Sequence, residues 1–289
     1  MNNIKYLNKA KIVEDNDRTV LVKKRKINID KIYSYLQNRG FHNYVTPIEI
    51  NHNEEIYPYI EELECLDDDR GKDIVYLTSI LHSKTTKFEL INIDKIKDRY
   101  EGTIQKLDEV FLYYSKLQDE IEEHIYMSPA ELLLMKNISK VYLMLNGSRS
   151  FLEEYYKEAE KMYNERQVVL HGNLSLDHII EADDKYLISW NKSRIDLPIY
   201  DLLIFYRNDF DKIEMESLYD IYQSKYRFTK EEKNLFFSLI NIPEIVKLDS
   251  SHFINTIKVR KLVDYMDKTI AFTSKENNEN QEANKQEFK

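Results

Sequence analysis

A chain of 289 residues and 34.8 kDa is long for one hydrophobic core and suits two lobes closing on a cleft. Its 42% hydrophobic and 32% charged residues match a soluble globular protein, while a net charge of −9 and a pI near 5.4 argue against a nucleic-acid binder, whose phosphate contacts need a basic face. Cys65 is the only cysteine, which rules out an intrachain disulfide and fits a reducing cytoplasm; no signal-peptide core or membrane-length apolar run is present.

Asn3 to Lys26 reads as strands, with Lys11–Glu14 and Thr19–Lys23 flanking the polar turn Asp15-Asn16-Asp17-Arg18. Asn28 to Asn38 places Ile32, Tyr35 and Leu36 on one helical face and stops before Gly40. Tyr44–Ile50 and Glu55–Glu62 return to strand across Asn51-His52-Asn53-Glu54, so residues 1–66 form a small β-rich lobe. Asp67-Asp68-Asp69-Arg70-Gly71 reads as a solvated acidic hinge without the alternating spacing of a metal loop. A mostly helical lobe is expected over residues 67–273. Ile104, Leu107, Phe111, Tyr114, Leu117, Ile121 and Ile125 recur at three- and four-residue steps, predicting a long amphipathic helix. Ser128-Pro129-Ala130-Glu131 is a helix start with a capping box, Phe151–Tyr163 predicts another helix, and Thr229 with Glu232 repeats the box. Ser274 to Lys289 is polar and nearly free of apolar residues, which predicts a disordered tail.

The most informative stretch is Val168 to Phe205, where two short β-rich runs, Gln167–Leu170 and Tyr186–Trp190, bracket a loop beginning His171-Gly172. With Leu174 and the later Pro198, Asp201 and Leu202, it resembles the catalytic segment of the aminoglycoside phosphotransferase and choline kinase family. Its wording is similar to that of the spore-coat-associated kinase-like proteins. The resemblance implies a bilobal α+β protein-kinase-like fold. It also implies a loop organised by His171 and by Asp201, whose carboxylate would receive donors from that loop.

At the charged positions the resemblance breaks. Asn173 stands where the family has its catalytic Asp, His178 where it has a metal-binding Asn, and Ser189 where it has a metal-binding Asp. An amide cannot take up a proton at neutral pH, and losing a general base costs roughly 10²–10⁴ in rate. Mg²⁺ prefers hard oxygen ligands, so an imidazole and a neutral hydroxyl make a poor shell. Asp177 and Asp196 are the carboxylates that could substitute, though both also read as surface turn acids. Lys23, in Val20-Leu21-Val22-Lys23, resembles the strand lysine that pairs nucleotide phosphates; it reads equally as a solvated lysine. Lys24 should face the other side of the strand. The following helix offers Gln37 but no Glu to pair with Lys23, and no glycine precedes that strand to form a phosphate-cradling loop. Trp190 is expected to pack in the core.

The expected function is that of a degenerate phosphotransferase homologue, pseudokinase-like, binding a small molecule or scaffolding a protein partner. Any ATP binding should be weak, Mg²⁺ is not expected to take part, and neither nucleic acid nor membrane insertion is foreseen. An active kinase of a small hydroxylated molecule, or a structural coat component, are the alternatives.

Overall fold

The structure, a computed structural model, describes residues 3–7, 10–15, 18–25 and 30–287. Strands β1 (Asn3–Leu7), β2 (Ala10–Asp15) and β3 (Arg18–Lys24), helix α1 (Asp30–Asn38), and strands β4 (Glu49–Ile50) and β5 (Glu54–Pro58) come first. The strands form one antiparallel sheet in the order β1-β2-β3-β5-β4. The β2–β3 ladder runs from Asp15 opposite Arg18 to Ala10 opposite Lys23, and the β3–β5 ladder sets Lys23 opposite Glu55. The expected helix start at Asn28 lies outside the described residues. Gly40, at φ +71°, ends α1: its amide donates to Gln37 O at 2.9 Å and that of Phe41 to Leu36 O at 3.0 Å, a left-handed glycine cap. The strand expected over Tyr44–Ile50 shrinks to Glu49–Ile50, because Pro47 has no N–H for a ladder and Tyr44 makes only an isolated bridge to Leu187.

Asp67–Gly71 is not a linker. It is the first turn of α2 (Asp67–Thr85), whose three leading aspartates suit a helix N-terminus. Gly71 is buried, and a Cβ there would lie 3.1 Å from Leu218 Cδ1, so the glycine permits a close helix approach. Next come β6 (Lys87–Leu90), α3 (Ile93–Glu122) and α4 (Pro129–Ala159). The capping box at Ser128 and Glu131 is formed, and the helix it starts runs unbroken through the segment expected as a separate helix at Phe151. Strands β7 (Asn164–Leu170), β8 (Ile179–Glu181), β9 (Lys185–Leu187) and β10 (Arg194–Asp196) precede α5 (Ile199–Asp209), α6 (Met215–Lys225), α7 (Lys230–Ile240) and α8 (His252–Glu287).

Two compact units result, Met1–Lys87 with Arg166–Arg227, and Phe88–Glu165 with Phe228–Lys289. A cut at residue 66 would therefore separate α2 from the sheet with which it shares a unit. In the second unit α4 packs on α3, α7 and α8, and Ser148 Oγ donates to Ser238 O at 2.8 Å where small side chains let α4 and α7 meet. α8 extends to Glu287, and within the segment expected to lack order Glu276 is buried and pairs with Lys233. Among the described residues no helix is long and apolar enough to cross a membrane.

Candidate functional site

The site lies wholly in the first unit and starts where β7 ends. Val168, Val169 and Leu170 are buried, and Ser193 Oγ donates to Leu170 O at 2.6 Å from the end of the 3₁₀ turn Trp190–Lys192. The chain then turns at Gly172, φ +75°, so tightly that a Cβ there would sit 2.2 Å from the Lys192 carbonyl oxygen. No other residue type fits that turn.

Asp201, in the first turn of α5, holds the loop. Its Oδ2 accepts the His171 N–H at 2.8 Å and lies 3.1 Å from His82 Nε2, and its Oδ1 accepts the Gly172 N–H at 2.7 Å. Burial alone would raise this carboxyl, but the hydrogen bond and charge of His82, with the Gly172 amide, outweigh it and hold it below the usual carboxylate range. The far end of α5 adds two holds that the sequence reading did not identify. Asn208 Nδ2 donates to Leu174 O at 2.7 Å, and Asp209 Oδ2 accepts the Leu176 N–H at 3.1 Å. Arg70 Nη1 on α2 reaches Leu176 O at 3.2 Å. The loop backbone is thus pinned at four successive places by buried or half-buried side chains, which fixes the side chains it presents.

His171 is fully buried behind the loop. Its Nε2 donates to Ile188 O at 2.7 Å, so the proton sits on Nε2, and Nδ1 is buried with no partner. Burial pulls its pKa down to about 4. Trp190 packs edge-on against the ring at 4.7 Å and closes an aromatic cluster with Phe41 and Tyr44. His171 and Asp201 therefore shape the loop and face no open space.

In front lies a cleft of about 370 Å³. It brings together four of the residues singled out from sequence: Lys23, Asn173, His178 and Ser189. His178 Nδ1 donates to the Asn173 carbonyl at 2.5 Å, with Ser175 Oγ 3.1 Å away, so the imidazole folds back on the loop through that nitrogen. Ser189 is the one described non-glycine residue with positive φ, at 69°, a left-handed conformation a serine holds only under the constraint of its surroundings. Asp177 is exposed and Asp196 accepts from Arg194 Nε at 3.1 Å and from the Leu197 amide at 2.9 Å; neither lines the cleft.

Lys24 does line it, against the expectation from strand alternation. It is the exposed last residue of β3, and its four-carbon side chain is long enough to reach the cleft edge from there. Lys23 is held differently. Its Nζ lies 5.4 Å from the centroid of the Tyr57 ring, and Glu55 faces it across the β3–β5 ladder. Burial lowers the Lys23 pKa and the Glu55 charge opposes that shift. The acid that α1 lacks is thus replaced by one on the neighbouring strand. Glu55 also accepts the Tyr57 hydroxyl at 2.9 Å and has Arg25 Nε at 3.8 Å. Glu55, Tyr57 and Lys192 were missed from sequence. The first two could have been found by aligning the β3 and β5 runs antiparallel, since residues 55 and 57 share one face of β5.

Among the described residues Glu55 is the only carboxylate lining the cleft, and no group of three or more His, Cys, Asp or Glu side chains is placed to hold a metal ion. The donor set does not suit Mg²⁺, which wants octahedral oxygen ligands and charge. Apolar and aromatic walls from Leu21, Val45, Ile180, Ile188 and Trp190, with lysines at the polar end, suit a flat apolar group carrying an anion.

A β-rich sheet lobe followed by a larger helical part, with a pinned His-Gly loop opening on a lysine-lined cleft, is a protein-kinase-like fold. Solved structures agree. The chain superposes on an aminoglycoside phosphotransferase from Alicyclobacillus acidocaldarius with a TM-score of 0.72 at 10% identity, covering 96% of this chain and 92% of that one. It also matches two structures of a spectinomycin phosphotransferase. One, with ADP and spectinomycin, has TM-score 0.53 at 13% identity, covering 93% and 92%; the AMP-bound one has 0.58 at 10%, covering 93% of each chain. At such identities the shared property is the fold. No family model and no curated protein matches the sequence.

Proposed function

We propose that this chain is a nucleotide-binding, pseudokinase-like protein: it keeps the phosphotransferase cleft but has little or no phosphoryl-transfer activity, and it acts by binding or scaffolding. The observation that carries the reading is the set of groups facing the cleft. Asn173, His178 and Ser189 stand together there, and the single carboxylate, Glu55, is already engaged by Tyr57 and Arg25. Phosphoryl transfer needs a group to orient or deprotonate the nucleophile and a metal to bridge the phosphates. Asn173 offers an amide with no basicity, and His178 has one ring nitrogen committed to the Asn173 carbonyl. The loop around them is nonetheless firmly built, through Asp201, Asn208 and Asp209. A retained frame with its reacting groups replaced favours recognition over chemistry. The nucleotide complexes of the spectinomycin phosphotransferase support the choice of ligand class. Association with a spore coat fits the resemblance in wording and would make the partner a coat protein.

The test is turnover and binding measured on one preparation. ATP consumption with Mg²⁺ should not exceed that of a heat-killed control, while ATP should raise the melting temperature. Turnover approaching the roughly 1–100 s⁻¹ of working kinases would sink the proposal and make Asp177→Ala the next variant.

A further inference from the structure

The cleft is an island of positive charge on an acidic protein. The whole chain carries a net −9, yet three lysines, Lys23, Lys24 and Lys192, line this one cavity against the single Glu55. The three are not equivalent. Lys23 is half-buried beside the Tyr57 ring and Glu55. Lys24 and Lys192 make no ion pair or hydrogen bond through Nζ with any described residue. Lys192 is nonetheless rooted. Its carbonyl abuts Gly172, its 3₁₀ turn is anchored by Trp190 Nε1 donating to Leu187 O at 2.8 Å, and the turn closes with Ser193 N–H to Trp190 O at 2.9 Å. The turn begins just after Ser189, so Lys192 opens onto the same cleft as Asn173 and Ser189.

We infer that the cleft binds a polyphosphate without a divalent cation, with Lys192 and Lys24 supplying the positive charge that a metal would otherwise bring. This rests on the nucleotide-binding reading and names the groups that hold the phosphates. Unpaired lysines in a protein that repels anions overall keep their full charge for a ligand and draw it inward. An ammonium is a point charge with three rotatable donors, able to follow a flexible phosphate chain without the bidentate geometry arginine needs. A di- or triphosphate fits better than a lone carboxylate, because two separate unpaired cations and a third shared one answer several charges in a row. Mg²⁺ would here compete with ammonium groups for phosphate oxygens and find no protein carboxylate free to hold it.

The experiment is calorimetric titration in EDTA and in Mg²⁺ with three probes, ATP, adenosine and inorganic tripolyphosphate. The proteins are wild type, Lys192→Gln, Lys24→Gln and the control Lys136→Gln, which changes an exposed lysine on α4. ATP and tripolyphosphate should bind wild type equally with and without Mg²⁺, and more weakly as salt rises. Lys192→Gln and Lys24→Gln should each lose about tenfold or more in affinity for both phosphates, the scale of one charged hydrogen bond, with adenosine and the control unchanged. Should Mg²⁺ tighten ATP binding by tenfold, or both variants bind ATP like wild type, the lysine assignment fails while the nucleotide reading stands. If tripolyphosphate binds through the lysines but ATP and adenosine do not, the nucleotide reading fails and the anion site remains. Binding of none of the three overturns both.

Discussion

Replacing Asp201 by alanine asks how much of this protein's stability resides in one buried carboxylate. Asp201 is wholly buried and accepts from the His171 and Gly172 amides at 2.8 and 2.7 Å, with His82 Nε2 at 3.1 Å. The Tyr222 hydroxyl, 2.6 Å from His82 Nδ1, braces the imidazole whose other ring nitrogen faces Asp201. Alanine leaves two backbone donors that cannot turn away, because Gly172 is trapped against Lys192. Each unsatisfied buried donor costs about 1–3 kcal/mol, and relief from burying a charge returns part of that. We expect Asp201→Ala to cost about 4 kcal/mol, where an exposed helix cap would cost ~1 kcal/mol. Asn173→Ala, at the half-exposed cleft wall, should cost under about 1 kcal/mol. Urea denaturation followed by Trp190 fluorescence reads this directly, since the only tryptophan lies 4.7 Å from His171 and reports on the first unit. A loss below ~1.5 kcal/mol for Asp201→Ala, or an equal loss for Asn173→Ala, would refute the view that the carboxylate organises the loop and the amide merely faces the cleft.

Gly172→Ala must place a Cβ at φ +75° against a backbone carbonyl, and should cost about 3 kcal/mol or more; Gly102→Ala, in α3 with nothing near its would-be Cβ, should stabilise by up to ~1 kcal/mol, both by chemical denaturation. The buried, neutral His171 gives a signed pH effect. Its pKa falls from 6.5 unfolded to about 4 folded, so the unfolded chain binds the extra proton and stability, complete above pH 6.5, drains away as pH drops toward 4. Glu181 and Asp209, raised by burial, tilt the other way, so the informative quantity is the difference between wild type and His171→Gln across pH 7 to 4. Wild type should lose more by an amount of order 3 kcal/mol, and parallel profiles would show that His171 is not buried neutral. Deleting residues 274–289 should destabilise by about 1 kcal/mol more than deleting 277–289, because only the longer cut removes Glu276 from Lys233; equal melting curves would place that contact outside the fold.

What the sequence determined by itself was local. Capping boxes at Ser128 and Thr229, the strands β2 and β3, and the apolar period of α3 as far as Ile121 depend on residues within a few positions of one another, and they stand as read. The spacing from His171 to Asp201 also carried enough pattern to single out Asn173, His178 and Ser189, which line one cleft. Local signals failed where two rules compete at one place. Three aspartates before a glycine read as a linker, yet carboxylates favour a helix N-terminus and Gly71 is there so that Leu218 can approach. The cleft's cations were decided only in three dimensions. Glu55 became the partner of Lys23 through strand register, and Lys192 reached the cleft through the 3₁₀ turn after Ser189. Lys24, exposed at the end of β3, lines the same cleft. Charge at a site is a sum over side chains brought near by tertiary packing, and no spacing along the chain encodes that sum.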